Sequence, residues 1–271
     1  MFRLLSNFSE RVLNKLNAPA PCLLCHAPST HTHLCAPCWS ELPWLPSAIC
    51  QCCAHPLPAL GRCGRCLTTP PHFDQIAAAC AYTYPLAPLI QSYKYHGRLA
   101  TTRTLSAILR EQSWPRPDLI VPVPLSAQRL QQRGFNQALE LARDLSQHWE
   151  TPIQKTLCLK IRDTTPQARL PWAARQRNIR GAFVVMEALQ GQHVAIVDDV
   201  LTTGSTVNEI ARLLKLAGAG RVTGHVIARA LNSAQGTSSD LISSTNTAAS
   251  TINNQAYSDS ARAFTASSDH A

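Results

Sequence analysis

Val194-Ala195-Ile196-Val197-Asp198-Asp199-Val200-Leu201-Thr202-Thr203-Gly204-Ser205-Thr206 is the most specific text in this 271-residue chain. The apolar run 193–197 reads as a buried strand that ends at two carboxylates, at the edge where open α/β sheets bind their ligands. A bend containing Gly204 lets backbone N–H groups converge, and the following helix aims its N-terminus at the same spot. Those donors and the Thr and Ser hydroxyls suit a phosphate dianion, while the paired acids accept strongly from the two hydroxyls of a ribose. Thr206 and Glu209 have the spacing of a capping box. Val207, Ile210, Ala211 and Leu214 share a face of the helix, and Gly218 marks its end.

Outward from this stretch the pattern repeats. Residues 222–228 read as another strand, and Leu119-Ile120-Val121-Pro122-Val123 is a short β-rich run closed by Pro124. Gln137–Trp149 reads as a helix with Ala138, Leu141, Ala142 and Leu145 on one stripe. Strand, helix, strand with continuous apolar runs predicts an α/β fold, a parallel sheet with flanking helices, over residues 72–231.

Residues 21–71 hold nine of the eleven cysteines, and their spacing occurs twice: Cys22-x2-Cys25-x9-Cys35-x2-Cys38, then Cys50-x2-Cys53-x9-Cys63-x2-Cys66. Tetrahedral zinc takes four thiolates, and two CxxC turns brought together supply them. A segment this poor in large apolar residues needs such a staple to fold. The expectation is a small four-cysteine zinc-ribbon module holding two structural Zn²⁺ ions, with no open coordination position for hydrolytic chemistry. Two separate ribbons and an interleaved cross-brace use the same eight residues. Cys52 is placed to replace Cys53, and His26, His31, His33 and His55 lie nearby, more simply as solvated loop residues. Cys80 and Cys158 read as ordinary buried thiols.

Residues 1–20 follow a helical period through Phe2, Leu5, Phe8, Val12 and Leu16, with Arg3, Glu10, Arg11 and Lys15 among them, so a packed helix is expected there rather than a secretory signal or a membrane anchor. Without a signal the cysteines read as thiols or metal ligands of a reducing compartment, and the cytoplasm is the expected location, with no membrane insertion. Residues 232–271 are dominated by Ser, Thr, Ala and Asn and are expected to form a disordered tail. The formal charge is +9. That tail carries Arg262 against Asp240, Asp259 and Asp269, a net of −2, which leaves +11 on the rest. So basic a body favours polyanionic partners, nucleic acid or a small phosphorylated ligand, and does not choose between them.

The paired acids and the Thr202-Thr203-Gly204-Ser205-Thr206 bend resemble the signature with which type I phosphoribosyltransferases hold phosphoribosyl pyrophosphate (PRPP). The resemblance implies that Asp198 and Asp199 hold the ribose 2- and 3-hydroxyls, that Thr202, Thr203, Gly204, Ser205 and Thr206 wrap the 5-phosphate, and that Mg²⁺ accompanies PRPP. Over residues 21–231 the chain also resembles the ComF family of competence and DNA-utilisation proteins. That resemblance rests on the paired CxxC module, the Lys94-Tyr95 segment, Val121-Pro122-Val123-Pro124, Arg129, and Arg133-Gly134-Phe135-Asn136-Gln137. In that comparison Val121, Pro122, Val123 and Pro124 take the place of a pyrophosphate-binding loop. Arg129 and Arg133 are then cationic candidates for the leaving group, and as solvated helix charges they read equally well.

Arg162, Arg169, Arg175, Arg177 and Arg180, with Gln167 and Asn178 among them, fall where the superfamily has a mobile loop that closes over PRPP. The same stretch also reads as a docking surface for a nucleic-acid backbone, with Trp172 as a base-stacking or anchoring residue. Three functions remain open at this point. One is an enzyme-like binder of PRPP or a related phosphorylated sugar, with its acceptor unspecified and read somewhere between the zinc module and Lys94. The second is a module that handles single-stranded DNA beside a DNA-uptake machinery. The third is a PRPP-sensing adapter.

Overall fold

The computed structural model describes residues 20–29, 33–96, 99–112, 114–163 and 179–231, all inside a compact unit, Met1–Leu231. The expected helix at 1–20, except for Ala20, and the tail at 232–271 lie outside the described residues.

In chain order the elements are α1 (Ala36–Ser40), α2 (Gly64–Thr68), β1 (Gln75–Ala81), α3 (Leu86–His96), α4 (Leu99–Arg110), β2 (Leu119–Pro122), α5 (Ala127–Arg133), α6 (Gln137–Trp149), β3 (Cys158–Lys160), β4 (Phe183–Val185), β5 (His193–Leu201), α7 (Ser205–Leu216) and β6 (Arg221–Arg229). Four strands form a wholly parallel sheet in the order β1-β6-β5-β2, while β3 and β4 make a separate antiparallel pair. The apolar runs 194–197 and 222–228 sit in its two central strands and are buried without a break, as a sheet covered on both faces requires.

Each face has its own core. On one, Leu86, Ile90 and Tyr93 of α3, Leu105 and Ile108 of α4 and Leu141 and Leu145 of α6 pack on Ala195, Val197 and Ile227. On the other, Val207, Ile210 and Leu214 of α7 pack with Phe183 of the hairpin on Ile196, Val222 and Val226. The α7 face comes close at Gly224, where a Cβ would stand 2.5 Å from Ile76 Cδ1 and 3.1 Å from Val207 Cγ1, so the sheet carries no side chain there.

The sequence repeat becomes a structural repeat. The amides of His26 and Ala54, the residues after Cys25 and Cys53, bond back to the carbonyls of Cys22 and Cys50, and both residues have positive φ (63° and 55°). Cys22 and Cys50 in turn donate to Ala27 and His55, and Cys35 and Cys63 each precede a one-turn helix, α1 and α2. The two ribbons nevertheless pack on opposite faces of the sheet. Cys22, Leu34, Cys35 and Leu42 join the α3 and α4 core, whereas Cys50, Cys52, Cys53 and Cys66 join the α7 core. The chain between them runs along β1, where Leu45 donates to Ala79 and Ala81 donates to Pro43. The region between the module and Lys94, expected to read an acceptor, is mostly sheet edge and helix, β1 and α3.

Candidate functional site

The two acids lie within a strand rather than at its end. β2 stops at Pro122, opposite Val197, whereas β6 stays in register with β5 as far as Leu201 and Arg229. Asp198 and Asp199 therefore have sheet on one side and a gap on the other, and a cleft of about 240 Å³ opens there. The Asp199 amide donates to Asp198 Oδ1 at 2.9 Å, and Lys94 Nζ reaches Asp199 Oδ2 at 3.1 Å. Burial, and then the charge of Asp199 beside it, push the Asp198 carboxyl up to about 7.

The bend after the strand has two sides. Thr202 and Thr206 line the cleft with the acids, whereas Thr203, Gly204 and Ser205 line a smaller cavity that faces the second ribbon. Gly204 has φ 79° and starts α7 without a side-chain cap; Glu209 pairs with Arg212 at 2.9 Å instead of reaching back, so the expected capping box does not form. Thr203 Oγ1 and Ser205 Oγ bond each other at 2.8 Å, both residues being buried, and the Ser205 amide leans on Thr203 Oγ1 at a long 3.3 Å. Among the described residues no protein acceptor meets the amides of Gly204 and Thr206. The bend offers an anion backbone donors and the start of a helix, with the Thr203 and Ser205 hydroxyls turned inward as support.

The Arg133-Gly134-Phe135-Asn136-Gln137 stretch is the corner that holds Lys94 over the acids. Gly134 ends α5 in a left-handed conformation (φ 75°), and Asn136 caps α6 through the Ala138 amide while donating to the Val123 carbonyl at 3.1 Å. Gln137 Nε2 donates to the Lys94 carbonyl, Tyr93 OH donates to the Gln137 carbonyl, and the Phe135 ring meets Tyr93 edge-on at 5.8 Å. Arg129, Arg133, Val123 and Pro124 line the cleft, but Val121 is fully buried within β2 and Pro122 is part of the same strand, so neither lines it.

Lys160 of β3 and Phe183 of β4 form another wall, which nothing in the sequence marks out. Burial, followed by the charge of Arg129, lowers the Lys160 ammonium. Four cations thus face two carboxylates. Arg162 donates to the Arg180 carbonyl at 2.8 Å instead of lining the cleft, and Gln167, Arg175, Arg177 and Asn178 lie outside the described residues.

The eight cysteines form two groups, Cys22, Cys25, Cys35 and Cys38, then Cys50, Cys53, Cys63 and Cys66, with the sulfurs of each group within 4.8 Å of one another. Each ribbon uses its own four; the cross-brace is not formed, and Cys52 stands outside the second group. The Cys25–Cys35 and Cys53–Cys63 sulfurs are 3.5 and 3.7 Å apart, close to the ~3.8 Å edge of a tetrahedron with Zn–S of about 2.3 Å. None of the cysteines is in a disulfide. The donor set and geometry fit a structural zinc in each ribbon.

Residues 13–67 match the family described as double zinc ribbon domain, and residues 135–256 match the phosphoribosyl transferase domain. The chain is 36% identical over 229 residues to the DNA utilization protein YhgH of Escherichia coli K12, covering 80% of this chain and 100% of that protein. It is 33% identical over 209 residues to competence protein F of Haemophilus influenzae Rd, covering 73% and 90%. A solved structure of the allosteric regulatory enzyme of purine biosynthesis overlays on 51% of this chain and 30% of its own length, at 21% identity and a TM-score of 0.36. A parallel sheet behind two four-cysteine ribbons, together with relatives matched over nearly their whole length, places this chain in the ComF family of DNA-utilization and competence proteins.

Proposed function

We propose that the cleft at Asp198 and Asp199 binds PRPP or another molecule carrying a ribose 5-phosphate group, and that the chain serves the uptake or utilisation of DNA. The observation that carries this reading is the open side of β5: two carboxylates sit beside a bend whose Gly204 and Thr206 amides meet no acceptor among the described residues. In this reading Asp198 and Asp199 accept from the ribose hydroxyls. The bend amides, with Thr202 and Thr206, hold the 5-phosphate, and Arg129, Arg133 and Lys160 neutralise the pyrophosphate. Mg²⁺, when bound with PRPP, would supply charge neutralisation between pyrophosphate and ribose oxygens. Transfer to an acceptor requires no protein nucleophile; the chain orients the sugar and stabilises the departing pyrophosphate while the anomeric carbon gains positive charge.

The reading is tested by thermal stabilisation with PRPP and Mg²⁺. Wild-type protein is expected to gain several degrees, and Asp198→Ala and Asp199→Ala to gain none. Equal stabilisation of all three would sink the assignment.

A second reading, a nucleic-acid module that keeps the fold without turnover, is favoured by the names of the relatives and by the four cations along the cleft. Retention on single-stranded DNA that weakens steeply with salt supports it. A PRPP-sensing adapter is the third reading, supported if PRPP binds without turnover and DNA does not; if neither ligand binds, a plain adapter role is the better account. The division into residues 1–20, 21–71, 72–231 and 232–271 and a cytoplasmic location belong to the same proposal; among the described residues no helix is long and apolar enough to cross a membrane.

A further inference from the structure

Arg229, the last residue of β6, is 6% exposed, and among the described residues its Nε and Nη1 atoms have no hydrogen-bond partner. Its Nη2 atom points at Cys53 Sγ, 3.9 Å away. A buried guanidinium facing neutral thiols would be an uncompensated charge, whereas four thiolates on one Zn²⁺ carry a net charge of −2 and supply the missing counter-charge. Among the described residues the groups acting on the first ribbon's thiols are its own cysteines and nearby backbone, and Cys25 is exposed.

Arg229 also stands directly behind the phosphate bend. It is in register with Leu201, the residue that leads into the bend, and the Ala230 amide donates to the Leu201 carbonyl. With Cys53 and Cys66 it lines the small cavity whose far wall is Thr203, Gly204 and Ser205. A second strut runs parallel to it, since Arg65, one residue before the zinc ligand Cys66, donates from Nη2 to the Thr203 carbonyl at 2.9 Å.

We propose that Arg229 is the counter-ion of the second zinc–thiolate cluster and, with Arg65, a positioning residue for the bend, so that zinc in the second ribbon holds the sugar-phosphate site in shape and zinc in the first does not. The ligand part of this statement rests on the function proposed above; the zinc and backbone parts do not. Arg229 touches no reacting atom and acts through the cluster and the strand end.

The test uses the full-length, zinc-loaded chain and the variants Arg229→Met, Arg229→Lys, Arg65→Ala and Cys25→Ser. Three quantities are read: zinc per chain, hydrogen exchange of a peptide covering residues 201–207, and PRPP affinity. Arg229→Met is expected to lose one zinc per chain, or release it at least tenfold faster to a chelator, and to exchange the bend amides at least tenfold faster. Arg229→Lys should recover most of the zinc retention. Arg65→Ala, which removes the bond to the Thr203 carbonyl and leaves Arg229 facing Cys53, should keep both zinc ions, speed bend exchange and weaken PRPP severalfold. Cys25→Ser should lose the first zinc and leave bend exchange within twofold of wild type.

Unchanged zinc release and bend exchange in Arg229→Met, or equal bend exchange in Arg229→Met and Cys25→Ser, would overturn the proposal. If Arg229→Met fails to fold, Arg65→Ala against Cys25→Ser decides by the same exchange readout. If PRPP binds to no form, the function proposed above falls, and zinc retention with bend exchange still decides this one.

Discussion

The two ribbons share ligand type, ligand spacing and even their turn hydrogen bonds, yet they occupy different mechanical positions. The first has Cys25 exposed and Cys38 half-buried, and packs on the α3 and α4 face. The second has Cys50, Cys53 and Cys66 buried and lies against the α7 face, behind the bend that follows the paired acids. A repeat in sequence thus fixes the metal chemistry, while residues outside the metal sphere, Arg65 and Arg229 above all, decide what each ion supports.

The largest effect that sharpens this contrast is expected from ligand removal. Cys66→Ser should release one zinc and lower the melting temperature by well over 5 °C, because structural zinc contributes folding free energy directly and this ion's surroundings belong to the main core. Cys25→Ser should also release one zinc, with a smaller fall; metal analysis and a thermal melt check both. Equal falls would show that the ribbons are mechanically equivalent.

Gly204→Val comes next. The position has φ 79°, and an added Cβ meets only ordinary contacts at 3.7 Å from Leu201 and 3.8 Å from Phe73, so the cost is backbone strain of ~1–3 kcal/mol rather than a clash. PRPP binding should fall below detection with the circular dichroism of the sheet intact; unchanged affinity would count against the bend. Lys94→Met should have a smaller effect. Its pair with Asp199 is partly buried, so a loss near 1 kcal/mol, about fivefold in PRPP affinity, is expected by calorimetry.

The mildest effect is the pH dependence. The Asp198 carboxyl is raised towards 7 in the free protein, and the ionised form is the one that accepts from hydroxyls. Binding below that pH must therefore release a proton, so affinity should rise with pH and level off above about 7. In Asp198→Asn the profile should be flatter.

Much of this was legible in sequence because it is local. The strand at 193–197, the stripe of α7 and the span of Gln137–Trp149 follow from periodicity, and the CxxC spacing carries its chemistry in the text. The readings that changed each depended on a competing partner. Asp198 and Asp199 were expected at a strand end, but β6 keeps β5 extended beyond the point where β2 stops. Glu209 was expected to cap α7, and Arg212 one turn along claimed it. Ribbon pairing and the choice between Cys52 and Cys53 were illegible because either scheme uses cysteines equally well in the text, and the roles of Lys160 and Arg229 because each depends on a neighbour far away in the chain, 176 residues in the case of Cys53 and Arg229.

The pairing of residues 43–45 along β1 has a consequence for anyone who would trim the molecule. β1 is the outer strand of the sheet, and on that side its peptide groups are met by the segment joining the ribbons. Cutting away the cysteine-rich module to leave the parallel sheet and its helices alone would bare an alanine-rich border of unpaired amides and carbonyls, the kind of template on which chains stack and precipitate. The amino-terminal module is therefore a selvedge as well as a metal carrier: it finishes the fabric of the sheet, and a shortened protein would be expected to fail by aggregation before it failed by loss of zinc.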